Sequence, residues 1–253
     1  MSQPANDSAP CPPFRAINGD FNRGLIIICD HASNAIPPGL GKLGLSGAVL
    51  EQHIAWDIGA ARVAATLAAH FKVPAVFCGV SRLVIDCNRI PSDPASVPAE
   101  VDGIRIPGNQ RLSAQAKSER LTQWFRPYHD AVAEVMDTAV GTVGDPVVLS
   151  VHSMTPERNG VPRPWPVALS SHEDKRLSTP MLAALRKHVD LPVGDNEPYA
   201  LDPAEDYSVP EHAMKRGLRH LQVEFRQDLV ADDAGVEQWA TIFAAALKDV
   251  LPL

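Results

Sequence analysis

Short unbroken apolar runs and helical stripes alternate along this chain. GLIIIC (24–29) is apolar throughout, as expected of a strand buried on both faces. PVVLSV (146–151) and PVALSS (166–171) repeat the pattern, and PAVFCGV (74–80) and RLVID (82–86) read as further strands. LRHLQVEF (218–225) alternates instead. Leu221, Val223 and Phe225 point one way; His220, Gln222, Glu224 and, just beyond, Arg226 point the other. Between these runs lie helical patterns. Ser46 is placed to cap a helix over 47–71, with Leu50, Ile54, Ile58, Ala61 and Ala65 along one stripe. Residues 111–137 form a long amphipathic pattern carrying Leu112, Leu121, Trp124 and Phe125, which Pro127 is expected to kink or break. Two more helices are predicted over 178–189 and 234–250. Residues 1–22, rich in Pro, Ser, Ala and Asn and without periodicity, read as a loose arm ahead of one domain over 23–253. Strands alternating with helices predict an α/β fold with a mostly parallel central sheet flanked by helices.

Composition narrows the function. A chain of 253 residues, 45% hydrophobic, buries a sizeable core without needing a disulfide or metal for that purpose. Its net charge of −7 argues against nucleic acid or an anionic membrane as the default partner. The four cysteines, Cys11, Cys29, Cys78 and Cys87, form no C-x-x-C pair and read as free thiols of a reducing compartment. The N-terminal stretch lacks the pattern of a secretory signal, and no apolar run reaches the length of a membrane span. These features point to a soluble, cytoplasmic protein.

The candidate chemistry collects at strand ends. Ligands of open α/β sheets bind beyond the carboxyl ends of the strands. Two buried-type strands terminate in DHAS (30–33) and HSMT (152–155), so His31 and His152 are expected at one edge. A neutral imidazole there suits a metal ligand; the alternative is a histidine hydrogen-bonded within a turn. His53 and Asp57, four apart on the predicted helix, share a face, which makes Asp57 a third ligand, an orienting group or half of a solvated ion pair. Glu224, on the polar side of an otherwise apolar strand, is a candidate general base for an attacking water, unless that strand is a wet edge. Arg82, Asn88 and Arg89 cluster around RLVIDCNR (82–89), and a guanidinium fork suits a carboxylate. Cys29, Cys78 and Cys87 lie in apolar contexts and read as structural thiols. Ser153 has no G-x-S-x-G setting, which disfavours a serine hydrolase.

Taken in order, these segments resemble the N-formylglutamate amidohydrolase family. The matching stretches are CDHASNAIP (29–37), H-x-x-W-D-x-G (53–59), SRLVIDCNR (81–89), VHSMTP (151–156), GDNEPY (194–199) and HAMKRGLRHLQVEFRQDL (212–229). The family is similar in fold to zinc carboxypeptidases. The resemblance implies a divalent metal, zinc, held by His31, His152 and a third ligand. It makes Glu224 the catalytic base and Asn88-Arg89 a clamp for a substrate carboxylate. Arg82, Asn196, Tyr199, His212 and Arg226, in the same stretches, join the expected substrate-binding set. One position departs from the carboxypeptidase pattern: its H-x-x-E glutamate is here Asn34, a poorer zinc donor, so either Asp57 replaces it as third ligand or the metal is held weakly. The implied reaction is hydrolysis of a small N-acyl amino acid, with N-formylglutamate as the leading substrate. A peptidase or cell-wall amidase of the same fold and a non-catalytic carboxylate-binding module are the rival readings.

Overall fold

The structure is a computed structural model that describes residues 11–253. Seven strands form one sheet: β1 (Phe14–Ile17), β2 (Leu25–Cys29), β3 (Ala75–Cys78), β4 (Val147–Met154), β5 (Val167–Ser170), β6 (Gly194–Asp195) and β7 (His220–Arg226). Their spatial order is β1-β3-β2-β4-β7-β5-β6. The β3-β2, β2-β4, β4-β7 and β5-β6 pairings are parallel; β1-β3 and β7-β5 are antiparallel. This is an α/β fold with a mostly parallel central sheet flanked by helices, as the alternation of elements predicts. No described helix is long and apolar enough to cross a membrane.

The five main helices are α1 (Ala60–Phe71), α2 (Ala114–Arg120), α3 (Arg126–Val143), α4 (Ser178–His188) and α5 (Asp233–Val250). Helices α1, α4 and α5 cover one face of the sheet, where Val63, Leu67, Met181, Leu185, Phe243 and Leu247 meet Leu25, Ile27, Val223 and Phe225. Helix α3 covers the other through Tyr128, Val132 and Met136, together with the long connections after β2 and β3. Strand β2 serves both layers. Leu25, Ile27 and Cys29 face the first, Ile26 and Ile28 the second, which is why the run is apolar throughout.

Several expectations need correction. Residues 1–10 of the expected arm lie outside the described residues, but Phe14–Ile17 form an ordered edge strand paired with β3. The helix predicted over 47–71 is broken: a short turn of helix, Gly47–Leu50, is separated from α1 by the turns of residues 51–59. Gly59 sets the break. It adopts φ +83°, and a Cβ there would lie 2.3 Å from the Val230 carbonyl oxygen, so only glycine fits. RLVID is not a strand. Its carbonyls are satisfied laterally instead: Asn109 Nδ2 donates to Leu83 O and Arg120 Nη1 to Val84 O, each at 2.8 Å, so the run is buried as irregular chain. The 111–137 helix continues to Val143, and Pro127 sits in the first turn of α3 after a π-helical stretch, Leu121–Phe125. That wide turn accommodates the missing amide. Strand β6 carries no sequence pattern of its own.

Candidate active site

Because β2 and β4 are parallel with Ile28 opposite Ser150, their carboxyl ends finish at the same edge. The residues two positions on, Asp30 and His152, therefore stand side by side, and His31 follows. The two imidazoles meet edge to face with ring centroids 5.0 Å apart. Asp57 lies between them. Its Oδ2 is 2.8 Å from His152 Nδ1 and 3.4 Å from His31 Nδ1. It arrives from the turns before α1, fixed by a backbone bond from Asp57 N to His31 O. All three side chains are buried and offer donor atoms within 4.8 Å of one another, a geometry able to hold a metal ion.

The far nitrogen of each imidazole is also held. His31 Nε2 is 2.7 Å from Asp86 Oδ1; His152 Nε2 is 3.0 Å from Ser150 Oγ and 3.4 Å from Asp30 Oδ2. Asp30 in turn accepts hydrogen bonds from the Tyr128 hydroxyl at 2.8 Å and from Ser208 Oγ. This is the arrangement that orients metal-ligating histidines, with a carboxylate behind each ring. Asp30, Asp86, Ser150, Tyr128 and Ser208 were not singled out from the sequence. The available signal was a pair of aspartates buried within apolar runs, which require a specific partner.

The electrostatics follow from burial against close charges. Burial by itself would raise the Asp57 carboxyl, but Arg82, His31 and His152 outweigh it and hold the group well below the usual range. Arg82 Nη2 donates to Asp57 Oδ1. Burial and Arg82 would lower His31, yet Asp86 and Asp57 leave it raised. His152 is raised further, burial being overcome by Asp30 and Asp57. Asp86 is lowered to about 2 against its burial, chiefly by His31. Glu224, in register beside His152 on β7, moves the other way: burial lifts its carboxyl to about 7. Strand β7 is central, not an edge, so its polar face is buried: His220, Gln222 and Glu224 are each no more than 5% exposed.

The remaining expected residues are distributed around this centre. His53 does not share a face with Asp57; the broken helix sends it outward to Asp102, 2.9 Å away. Asn34 is not in the donor set, since its Nδ2 donates to Leu50 O. The Asn88 side chain braces a turn, donating to Asp206 and accepting from the amides of Tyr207 and Ser208. Arg89 lies at the rim beside Asp206, 3.3 Å away, and Glu205. Asn196 Oδ1 accepts from the Ser171 amide. The Tyr199 hydroxyl accepts from Arg163 at 2.7 Å. His212 is buried with Nε2 2.9 Å from His129 Nδ1, away from the triad. Arg226 pairs with Asp228 through a two-point contact. Ser153 Oγ donates to Ile58 O, and burial raises the Cys29 and Cys87 thiols well above their ordinary range, which leaves them poor nucleophiles.

The buried two-histidine, one-aspartate donor set, with Glu224 beside it, is a candidate metal centre at the carboxyl edge of a mostly parallel sheet, where α/β enzymes bind their ligands. Comparison with known proteins gives the family. The model of the N-formylglutamate amidohydrolase family matches residues 23–231, and this chain belongs to that family of amidohydrolases. A crystal structure of a gene product of Agrobacterium tumefaciens is 32% identical, with a TM-score of 0.87 over 94% of this chain and 95% of that one. The crystal structure of an N-formylglutamate amidohydrolase from Ralstonia eutropha shares the fold at 18% identity, with a TM-score of 0.66 over 95% of this chain and 96% of that one. No curated protein matches the chain.

Proposed function

We propose that this enzyme is a metal-dependent, cytoplasmic amidohydrolase that deacylates a small N-acyl amino acid, with N-formylglutamate as its substrate. The observation that carries this reading is the His31–Asp57–His152 donor set with Glu224 in register beside it. The set fits a zinc-type ion: two imidazole nitrogens and a carboxylate oxygen are the usual protein share of a catalytic site, and both rings are held from behind. When bound, the ion supplies Lewis acidity that polarises the scissile carbonyl and lowers the pKa of water.

The chain's own groups do the rest. Asp86 and Asp30 keep the Nδ1 atoms of His31 and His152 turned toward Asp57. Glu224 takes a proton from the attacking water and delivers it to the departing amine. Burial raises its carboxyl above the ordinary range, which favours a group that both takes and returns a proton. Oxygen adds to the acyl carbon, the C–N bond breaks, and formate and glutamate leave. Arg82, whose Nε–H lacks a partner among the described residues, is placed to donate to the developing oxyanion. Arg89 offers its guanidinium to one substrate carboxylate in exchange for Asp206. Asn88, Asn196 and Arg226 shape the walls, and the Tyr199 hydroxyl faces the substrate. Four free thiols suit a reducing compartment.

The test measures metal content and formate release from N-formylglutamate before chelation, after it, and on metal return. Activity should follow metal content. Full turnover by a metal-free preparation would overturn the metal role; a fully loaded enzyme inert to N-formylglutamate would overturn the substrate.

A further inference from the structure

We propose that Arg163 is a specificity residue that binds one carboxylate of the substrate. This rests on the acyl-amino-acid reading above and extends it to a residue that none of the expected motifs contains. Arg163 is only 6% exposed. Arg82, Arg89 and Arg226 each pair with an aspartate. Arg163, more buried than any of them, pairs with no carboxylate among the described residues. A buried guanidinium without a counter-charge is costly unless something anionic completes it. Arg120, also buried without an acid, has as many oxygen partners, those of Val84, Asn109 and Gly108; Arg163 differs from it in lying against Thr155, directly after β4, and against Tyr199.

The partners of Arg163 leave donors open. Nη1 donates to Thr155 O at 3.3 Å and to Thr155 Oγ1 at 3.0 Å, and Nη2 donates to the Tyr199 hydroxyl at 2.7 Å. Of the five N–H groups of a guanidinium, the Nε–H and one Nη2–H remain, on neighbouring positions of the planar group. The Tyr199 hydroxyl, accepting from Arg163, keeps its own hydrogen to give. Two guanidinium donors and a phenol O–H suit a carboxylate better than any neutral group.

The position is also right. Thr155 follows β4 directly, three residues after His152. The Arg163 carbonyl accepts from Arg226, two residues beyond Glu224 on β7. Arg163 thus stands at the wall of the same edge, and N-formylglutamate, a dianion, has a second carboxylate to place there besides the one at Arg89.

Calorimetry with L-glutamate, L-glutamine and isoglutamine on the wild type, Arg163→Met and Arg163→Lys tests this, with melting temperatures and N-formylglutamate turnover alongside. Both amides should bind the wild type at least about tenfold more weakly than glutamate, one for want of the Arg163 contact and the other for want of the Arg89 contact. Arg163→Met should abolish the discrimination against one amide and leave that against the other, and Arg163→Lys, which keeps charge but loses the fork, should restore only part of it. Equal binding of all three ligands by the wild type, or discrimination against both amides that survives undiminished in either variant, overturns the proposal. Should Arg163→Met not fold, the lysine variant and the wild-type ligand series still decide. Discrimination that depends on Arg163 in an enzyme that does not cleave N-formylglutamate would support the binding role while rejecting the formyl substrate.

Discussion

Asp30 and His152 come from different strands, yet the Asp30 carboxylate lies 3.4 Å from His152 Nε2 and is wholly shielded from solvent. Its chain neighbour, His31, is served by a different carboxylate, Asp86. Asp30 thus supports the ring across the sheet while accepting hydrogen bonds from Tyr128 on α3 and from Ser208. Asp30→Asn keeps the shape and removes the charge. Metal affinity should fall by about 10–100-fold, as found when groups behind ligating histidines are altered. Titration of the metal-free variant with zinc against a competing chelator checks this; unchanged affinity would show that Asp30 serves only packing.

Glu224→Gln preserves volume on β7 and removes the acid–base group. Turnover should drop by about 10²–10⁴-fold with metal content and melting temperature close to wild type. An equal loss of metal would instead mean that Glu224 helps to hold the ion.

Asp57 faces three cationic or protonatable groups, Arg82, His31 and His152. Asp57→Ala removes the carboxylate that all three share. In metal-free protein the expected cost is about 3–5 kcal/mol, the usual penalty for stranding buried charge. Denaturant unfolding of both metal-free forms measures it, and zinc should no longer raise the midpoint of the variant.

The His129–His212 pair predicts acid sensitivity away from the site. Burial and the neighbouring His212 lower His129 to about 3, and burial with Arg216 lowers His212 to about 4. Both folded values lie below the ordinary 6.5, so the unfolded chain takes up protons first. The stabilisation is therefore complete above pH 6.5 and is lost as the pH falls toward 4 and then 3. At pH 5 the loss is about 2 kcal/mol per ring, at about 1.36 kcal/mol per pH unit. Urea midpoints at pH 7.5 and pH 5 should diverge less for His129→Phe/His212→Leu than for the wild type.

Legibility in the sequence followed the physics of each segment. The strands at 25–29 and 147–154 were visible as short apolar runs bounded by turn residues, and that at 220–226 by its alternation of apolar and polar positions. With them came His31, His152 and Glu224, whose positions follow from strand ends and parity. RLVID failed because an apolar run is buried equally well as irregular chain when side chains such as Asn109 and Arg120 satisfy its carbonyls. The 47–71 helix failed at Gly59, where a tertiary approach to Val230 decides the backbone. Arg163, Asp30 and Asp86 were invisible in function because their meaning lies in partners distant along the chain, or in lacking one.

Strand β5 runs against β7, whereas β2 and β4 run with it. A strand laid the other way presents its beginning where its neighbours present their ends. The residues that enter β5, including the hairpin of Glu157–Arg158 and Val161–Pro162 and Arg163 behind it, are therefore delivered to the edge where β2 and β4 deliver the histidines. Chemistry and selectivity thus reach the same place on separately replaceable stretches of chain. Exchanging residues 155–166 between relatives should transplant a preference for one acyl amino acid over another while the reaction itself is left as it was.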